Sequence, residues 1–266
     1  MPEHKLDALL IVQGIAAGYG GKPVIANIDF TLRAGEFLGL LGPNGSGKST
    51  LLRAITGQIP LAAGTVTIAG IDLAHDPELA KAAIGYAVDA PELPPTLTGL
   101  QYLELVSDLR SCPENDWPRT DLIELLALGK WLRQVIGEYS YGTRMKLAIA
   151  AALLGKPPLI ILDESLNGLD PVVAWRIKRL LMEMIRSGEY AILLSTHVLE
   201  TVESLCSSAM LLADGRIVAR WTREALQQAR QAPDGFEASV MAALGETQTW
   251  ASTAIAGRSK QRITGP

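Results

Sequence analysis

The nine residues Gly42 to Thr50, GPNGSGKST, match the pattern G-x-x-x-x-G-K-[ST], between an apolar run, FLGLLGP, and a helical one, KSTLLRAITG. Gly42, Gly45 and Gly47 let backbone N–H groups close around phosphate oxygens, with Asn44, Ser46 and Thr50 in the same loop and first helical turn. Lys48 is placed to reach β- and γ-phosphate oxygens, and Ser49 to ligate Mg²⁺. A second chemical group closes the run PLIILDES, where Asp163 and Glu164 fall at the carboxyl end of a strand, the end at which α/β proteins bind ligands. Asp163 is suited to hold Mg²⁺, directly or through water, and Glu164 to orient or deprotonate an attacking water. A third stretch, YSYGTRMKLAIAAALL from Tyr139, opens with hydroxyl-bearing and small residues and runs into an apolar helical pattern. Such a helix start offers free N–H groups to an anion, here at Ser140 and Gly142.

The elements that position these groups follow from periodicity and turn residues. Residues 8 to 41 read as short strands separated by Gly, Pro and an Ala-Gly-Glu turn, and GTVTIAG at 64 to 70 as another. The helix after the glycine-rich loop closes at Gly57. Residues 97 to 155 are mostly helical in pattern. From 158 buried strands alternate with helices, through PLIILDE and AILLSTH, the mark of a parallel sheet. A hairpin around Asp214 and Gly215 follows, then two short helices, TREALQQARQ and FEASVMAALGE. The fold class expected is α/β with a helical insertion, and the last 18 or so residues are expected to be disordered.

With 266 residues and 48% hydrophobic content the chain can fill a sizeable core. A formal charge of −4 gives no electrostatic footprint for nucleic acid. Cys112 and Cys206 lack metal-ligand spacing and suggest a reducing setting. The first residues are wrong for a secretory signal, and runs such as LAIAAALLG are far short of the roughly 20 residues of a membrane helix. Any membrane role is therefore expected to be borrowed from a partner.

Across roughly residues 9 to 220 the chain resembles the ATP-binding subunits of ABC transporters. The resemblance rests on the order of motifs: the GPNGSGKST loop, YSYGT where the family carries its serine-glycine signature, LDES, NGLDP where it carries the D-loop, and STHVLE with a switch histidine. The resemblance implies a P-loop ATPase core with an antiparallel β-subdomain and a helical subdomain at about 92–155. The ATPase domain is expected over 1–222 and a C-terminal extension over 223–266. It implies ATP and Mg²⁺ as cofactors, His197 at the γ-phosphate, Asp170 near the facing subunit, and Tyr19 of AAGYGG stacked on adenine.

The chain also departs from the family's usual pattern. Asp89 stands where the family usually has Gln, sometimes Glu, at the loop joining core to helical subdomain, a residue that reaches Mg²⁺ and the attacking water. Tyr141 replaces the commonest glycine of the signature and Thr143 its glutamine, as in the Tyr-Ser-x-Gly form of export-type members. Ser165 and Leu166 replace proline and threonine, with no phosphate contact implied. The function expected is that of the ATP-hydrolysing subunit of an exporter. It would act as a homodimer or heterodimer of ATPase subunits, on the inner face of the cell membrane, through separate permease subunits. The alternative is a soluble ABC-type ATPase acting on ribosomes or DNA, against which stand the single cassette and the missing heptad run. A kinase-like reading lacks an acceptor-binding motif.

Overall fold

The computed structural model describes residues 7–112 and 120–245. Two sheets carry the chain. In the first, β1 (Ala8–Tyr19) and β2 (Lys22–Arg33) form a long antiparallel hairpin turned by Gly20 and Gly21, both at positive φ. The sheet is completed by β4 (Leu61–Ile68) and β5 (Ile71–Asp72), in the order β2-β1-β4-β5. β4 starts three residues before the expected Gly64. That glycine, at φ 83°, lies inside the strand at a break in register, where a Cβ would stand 2.4 Å from the Gln13 carbonyl oxygen. A turn-forming residue in a strand interior marks such a close backbone approach.

The second sheet runs β10-β9-β3-β8-β7-β6. It comprises β3 (Phe37–Leu41), β6 (Ile84–Ala87), β7 (Leu159–Asp163), β8 (Ala191–Thr196), β9 (Ser208–Ala213) and β10 (Arg216–Trp221). All neighbours are parallel except β9 and β10. Every residue of β3, β7 and β8 is buried, which is why these strands read as unbroken apolar runs. The register aligns Leu41 with Thr196, Asp163 with Ser195, and Ala87 with Leu162. The loops after β3, β6, β7 and β8 therefore leave from one edge of the sheet, and these four loops hold the phosphate motif, Asp89, Glu164 and His197.

One core lies between the sheets, with Leu51 and Leu52 of α1 (Lys48–Ile55) packed beside Leu10, Ile25 and Leu40. The short helix α2 (Pro77–Ala82) follows β5. The other core covers the opposite face with α3 (Gly99–Leu109), α4 (Thr120–Leu125), α5 (Tyr141–Leu153), α6 (Pro171–Ser187) and α7 (Leu199–Leu205). α3 starts at a capping box of Thr98 and Gln101. Arg110 at its other end donates to the carbonyls of Ala151 at 2.9 Å, Leu154 at 2.7 Å and Ile84 at 3.0 Å, tying α3 to the end of α5 and the start of β6.

Two further helices, α8 (Arg223–Gln231) and α9 over 235–245, fold back on this second core. The Trp221 and Phe236 rings meet edge to face at 5.2 Å, and the Trp221 indole donates to Ser239 at 2.9 Å. Arg230 donates to the carbonyls of Val202 at 3.0 Å and Cys206 at 2.8 Å, capping the end of α7. The expected disorder of the last 18 or so residues lies outside the described residues.

Candidate active site

The phosphate motif is a loop between β3 and α1 whose backbone leaves room only for glycine at two points. Gly47 sits at φ 107°, and a Cβ on Gly42 would lie 2.4 Å from the Leu212 carbonyl oxygen. Gly47 is also the N-cap of α1 and offers no side-chain acceptor, so the first N–H groups of the helix stay open. The Ser46 hydroxyl is buried with no hydrogen-bond partner among the described residues. The Lys48 ammonium, in a side chain 7% exposed, rests on the carbonyls of Gly42 at 2.8 Å and Pro43 at 3.3 Å. Open N–H groups, an orphaned hydroxyl and a buried cation fit a polyphosphate.

Asp163 ends β7 in the buried sheet, where it accepts from the Ser195 hydroxyl at 2.6 Å and the Tyr86 phenol at 3.5 Å. Burial lifts its carboxyl above the ordinary range, hydrogen bonds from Ser195 and Ser49 pull it back, and the charges of Glu164 and Asp89 push it up again. A carboxylate and the Ser49 hydroxyl beside a phosphate cradle form the hard oxygen set that suits Mg²⁺.

Glu164 takes a left-handed backbone, φ 52°, uncommon for a residue with a Cβ and costing of order 1–3 kcal/mol. Its N–H donates to the Ser195 carbonyl at 3.1 Å, turning the side chain off the line of the strand. Three groups converge on the carboxylate: the Asn167 amide at 2.6 Å, His197 Nδ1 at 3.0 Å and Lys48 Nζ at 3.6 Å. His197, expected at the γ-phosphate, thus holds Glu164 through one nitrogen and leaves Nε2 without a partner among the described residues.

Asp89 follows β6 and caps the single turn 90–92, accepting from the Ala90 N–H at 2.7 Å and the Tyr141 phenol at 3.4 Å. Tyr19 ends β1, half exposed, and accepts from Arg53 of α1 at 3.3 Å, while the same guanidinium pairs with Glu92. Ser140, Gly142 and Asp170 lie at the starts of α5 and α6, next to Tyr141, which reaches Asp89. Ser140 is the exposed N-cap of α5, accepting from the Thr143 N–H at 3.2 Å, and a Cβ on Gly142 would stand 2.9 Å from the Gly168 carbonyl oxygen. Asp170 caps α6 through the Val173 N–H at 3.0 Å and pairs with Lys146 of α5 at 2.6 Å, which holds its carboxyl below the usual range.

Several contributors are missing from the sequence reading. Ser195 and Asn167 hold the two acids, yet the first is set by strand register and the second by its place three residues after Glu164. Tyr86 and Arg53 carried no motif signal. Ser165, assigned no function, is fully buried and donates to the carbonyls of Ala87 at 3.3 Å and Asp163 at 3.0 Å, stitching β6 to the end of β7. Leu166 is core.

A glycine-rich loop, a buried lysine and a carboxylate pair at one sheet edge define a P-loop nucleotide-binding ATPase. The family model described as ABC transporter matches residues 25–167. The uncharacterized ABC transporter ATP-binding protein YdbJ of Bacillus subtilis (strain 168) is 35% identical over 224 residues, 84% of this chain and 72% of that protein. The Nod factor export ATP-binding protein I of Rhizobium leguminosarum bv. viciae is 35% identical over 228 residues, 85% of this chain and 73% of that protein. A solved ATP-binding subunit of an ABC transporter superposes with a TM-score of 0.77 at 32% identity, covering 84% of this chain and 92% of that one. The dimeric ATP-binding cassette MJ0796, in a post-hydrolysis state bound to ADP and Pi, shares the fold with a TM-score of 0.72 at 23% identity, covering 80% and 98%. The chain belongs to the ABC transporter ATP-binding family. It is an ATP-binding, ATP-hydrolysing subunit of the kind that serves transport, and none of its described helices is long and apolar enough to cross a membrane.

Proposed function

We propose that this chain powers export through permease subunits carried on other chains. Two ATPase subunits would close around two ATP molecules at the inner face of the cell membrane. The observation that carries the ATPase chemistry is the convergence of Lys48, Asn167 and His197 on the Glu164 carboxylate beside an open phosphate loop. Lys48 and the open N–H groups of α1 bind the polyphosphate. Glu164, held by Asn167 and His197, takes a proton from the attacking water, and His197 donates to Glu164 through Nδ1 and, when doubly protonated, to the γ-phosphate through Nε2. Ser49 and Asp163 would hold Mg²⁺, with Asp89 reaching it from the next loop; when bound, it neutralises charge on the phosphates.

Closure by two subunits is supported by the position of the signature. The loop at 42–50 can wrap a nucleotide from one side only, whereas Ser140 is exposed and its hydroxyl is engaged, among the described residues, only with Thr143 of its own helix. The dimeric form of MJ0796 and the export role in the name of the Nod factor relative support the same reading. Glu164→Gln protein loaded with ATP and Mg²⁺ should elute as a dimer and return to monomer after exchange into ADP. Elution as a monomer with ATP still bound would overturn the two-subunit reading.

A further inference from the structure

Two departures from the family's usual pattern touch each other. Asp89 replaces a longer side chain, and Tyr141 replaces a residue with no side chain at all. In the folded protein the Tyr141 phenol donates to Asp89 Oδ1 across 52 positions of sequence, at 3.4 Å. The same oxygen takes the Ala90 N–H at 2.7 Å. Both donors fall on Oδ1, so Oδ2 has no protein partner among the described residues. The tyrosine, first residue of α5, is half exposed and its ring lies over Gly168, where a Cβ would meet Cδ1 at 3.2 Å and Cε1 at 3.3 Å. Three loops of one chain thus meet at this ring, those holding Asp89, the signature and Asp170.

We propose that Tyr141 is a positioning residue for Asp89, locking Oδ1 so that Oδ2 alone faces the magnesium side of the nucleotide site. The inference rests on the proposed role of Asp89 at the metal. A carboxylate one carbon short of Glu has less reach, and a carboxylate free to rotate presents either oxygen. Two donors on one oxygen remove that freedom before the cation arrives, and ordering done in advance is not lost on binding. Glycine at 141 could supply no donor, so the longer side chain on one loop offsets the shorter one on the other.

The test uses the full chain in the Glu164→Gln background, so that hydrolysis does not deplete ATP. Retention of labelled ATP is measured against MgCl₂ concentration for the parent, Tyr141→Phe, Asp89→Asn and the double variant, with thermal melting as a folding control. Phenylalanine keeps the ring against Gly168 and removes only the hydroxyl. The expected result is a rise of about five-fold in the Mg²⁺ concentration at half-retention for Tyr141→Phe, the scale of one hydrogen bond. A larger rise is expected for Asp89→Asn, and no further rise when Tyr141→Phe is added to it. A shift for Asp89→Asn with none for Tyr141→Phe, or two effects that multiply in the double variant, would overturn the positioning role and leave Asp89 at the metal. No shift for Asp89→Asn would remove the assignment of Asp89 and the inference with it.

Discussion

At the scale of single residues, Glu164 carries the widest set of contacts in the site, and its chemistry separates from that of Lys48. Glu164→Gln keeps the size of the side chain and loses the proton acceptor. It should leave ATP affinity near that of the wild type while turnover falls by about 10²–10⁴-fold, measured by equilibrium binding and by phosphate release. Lys48→Ala removes a buried cation from the loop, so ATP binding itself should weaken by roughly ten-fold or more in the same binding assay. Unchanged turnover in the Gln variant would take Glu164 out of the role of base. Both residues were legible in the sequence because a continuous motif announces them. Ser195 and Asn167 were not. A serine buried at the end of β8 has a role only because the register places it opposite Asp163, and register is a property of two strands separated by a helix. Tyr141 was visible as a departure, but its partner Asp89 lies in another loop, and nothing local joins them.

At the scale of elements, the start of α6 shows one carboxylate doing two jobs. Asp170 accepts the Val173 N–H as a cap and pairs with Lys146, linking α6 to α5. Asp170→Ala should cost about 1 kcal/mol in chemical denaturation through loss of the cap. Asp170→Asn keeps an acceptor for the cap and loses the ion pair. Because the folded carboxyl titrates below its unfolded value, its contribution is present above the unfolded pKa and is lost as the pH falls through the folded one. The stability gap between wild type and Asn should therefore close in acid, below about pH 4, and a gap independent of pH would show that the pair contributes nothing. β3, β7 and β8 were readable as apolar runs and α8 and α9 as short helices, but the short strand β6 was not. The early start of β4 was not, because Gly64 reads as a turn and functions as a break within a strand.

At the scale of the whole molecule, closure of two subunits around ATP can be caught by a covalent trap. Asn44 in the phosphate loop and Ser140 at the start of α5 are both exposed. With Cys112 replaced by serine, Asn44→Cys and Ser140→Cys together in the Glu164→Gln background should give an ATP- and Mg²⁺-dependent covalent dimer on oxidation, read on a non-reducing gel. An internal crosslink that runs as monomer would place both motifs around one nucleotide in one chain. Cys206 needs no replacement: burial pushes its thiol up to about 12, so little thiolate is present to react. The family was legible because the motifs recur in a set sequence along the chain; the strand order was not, because it is set by pairing between strands far apart in the chain. The seating of the last two helices was not, since a tryptophan at the end of a hairpin gives no sign of what will cover it. That seating bears on how the chain can be handled at the bench. Shortening it after Thr222, a natural choice for anyone trimming to the ATPase alone, would leave Trp221 without Phe236 and strip the Arg230 donor from the Val202 and Cys206 carbonyls. The helix losing that support begins two residues after His197, so a trimmed protein should be less soluble and should also hydrolyse ATP more slowly than the full chain.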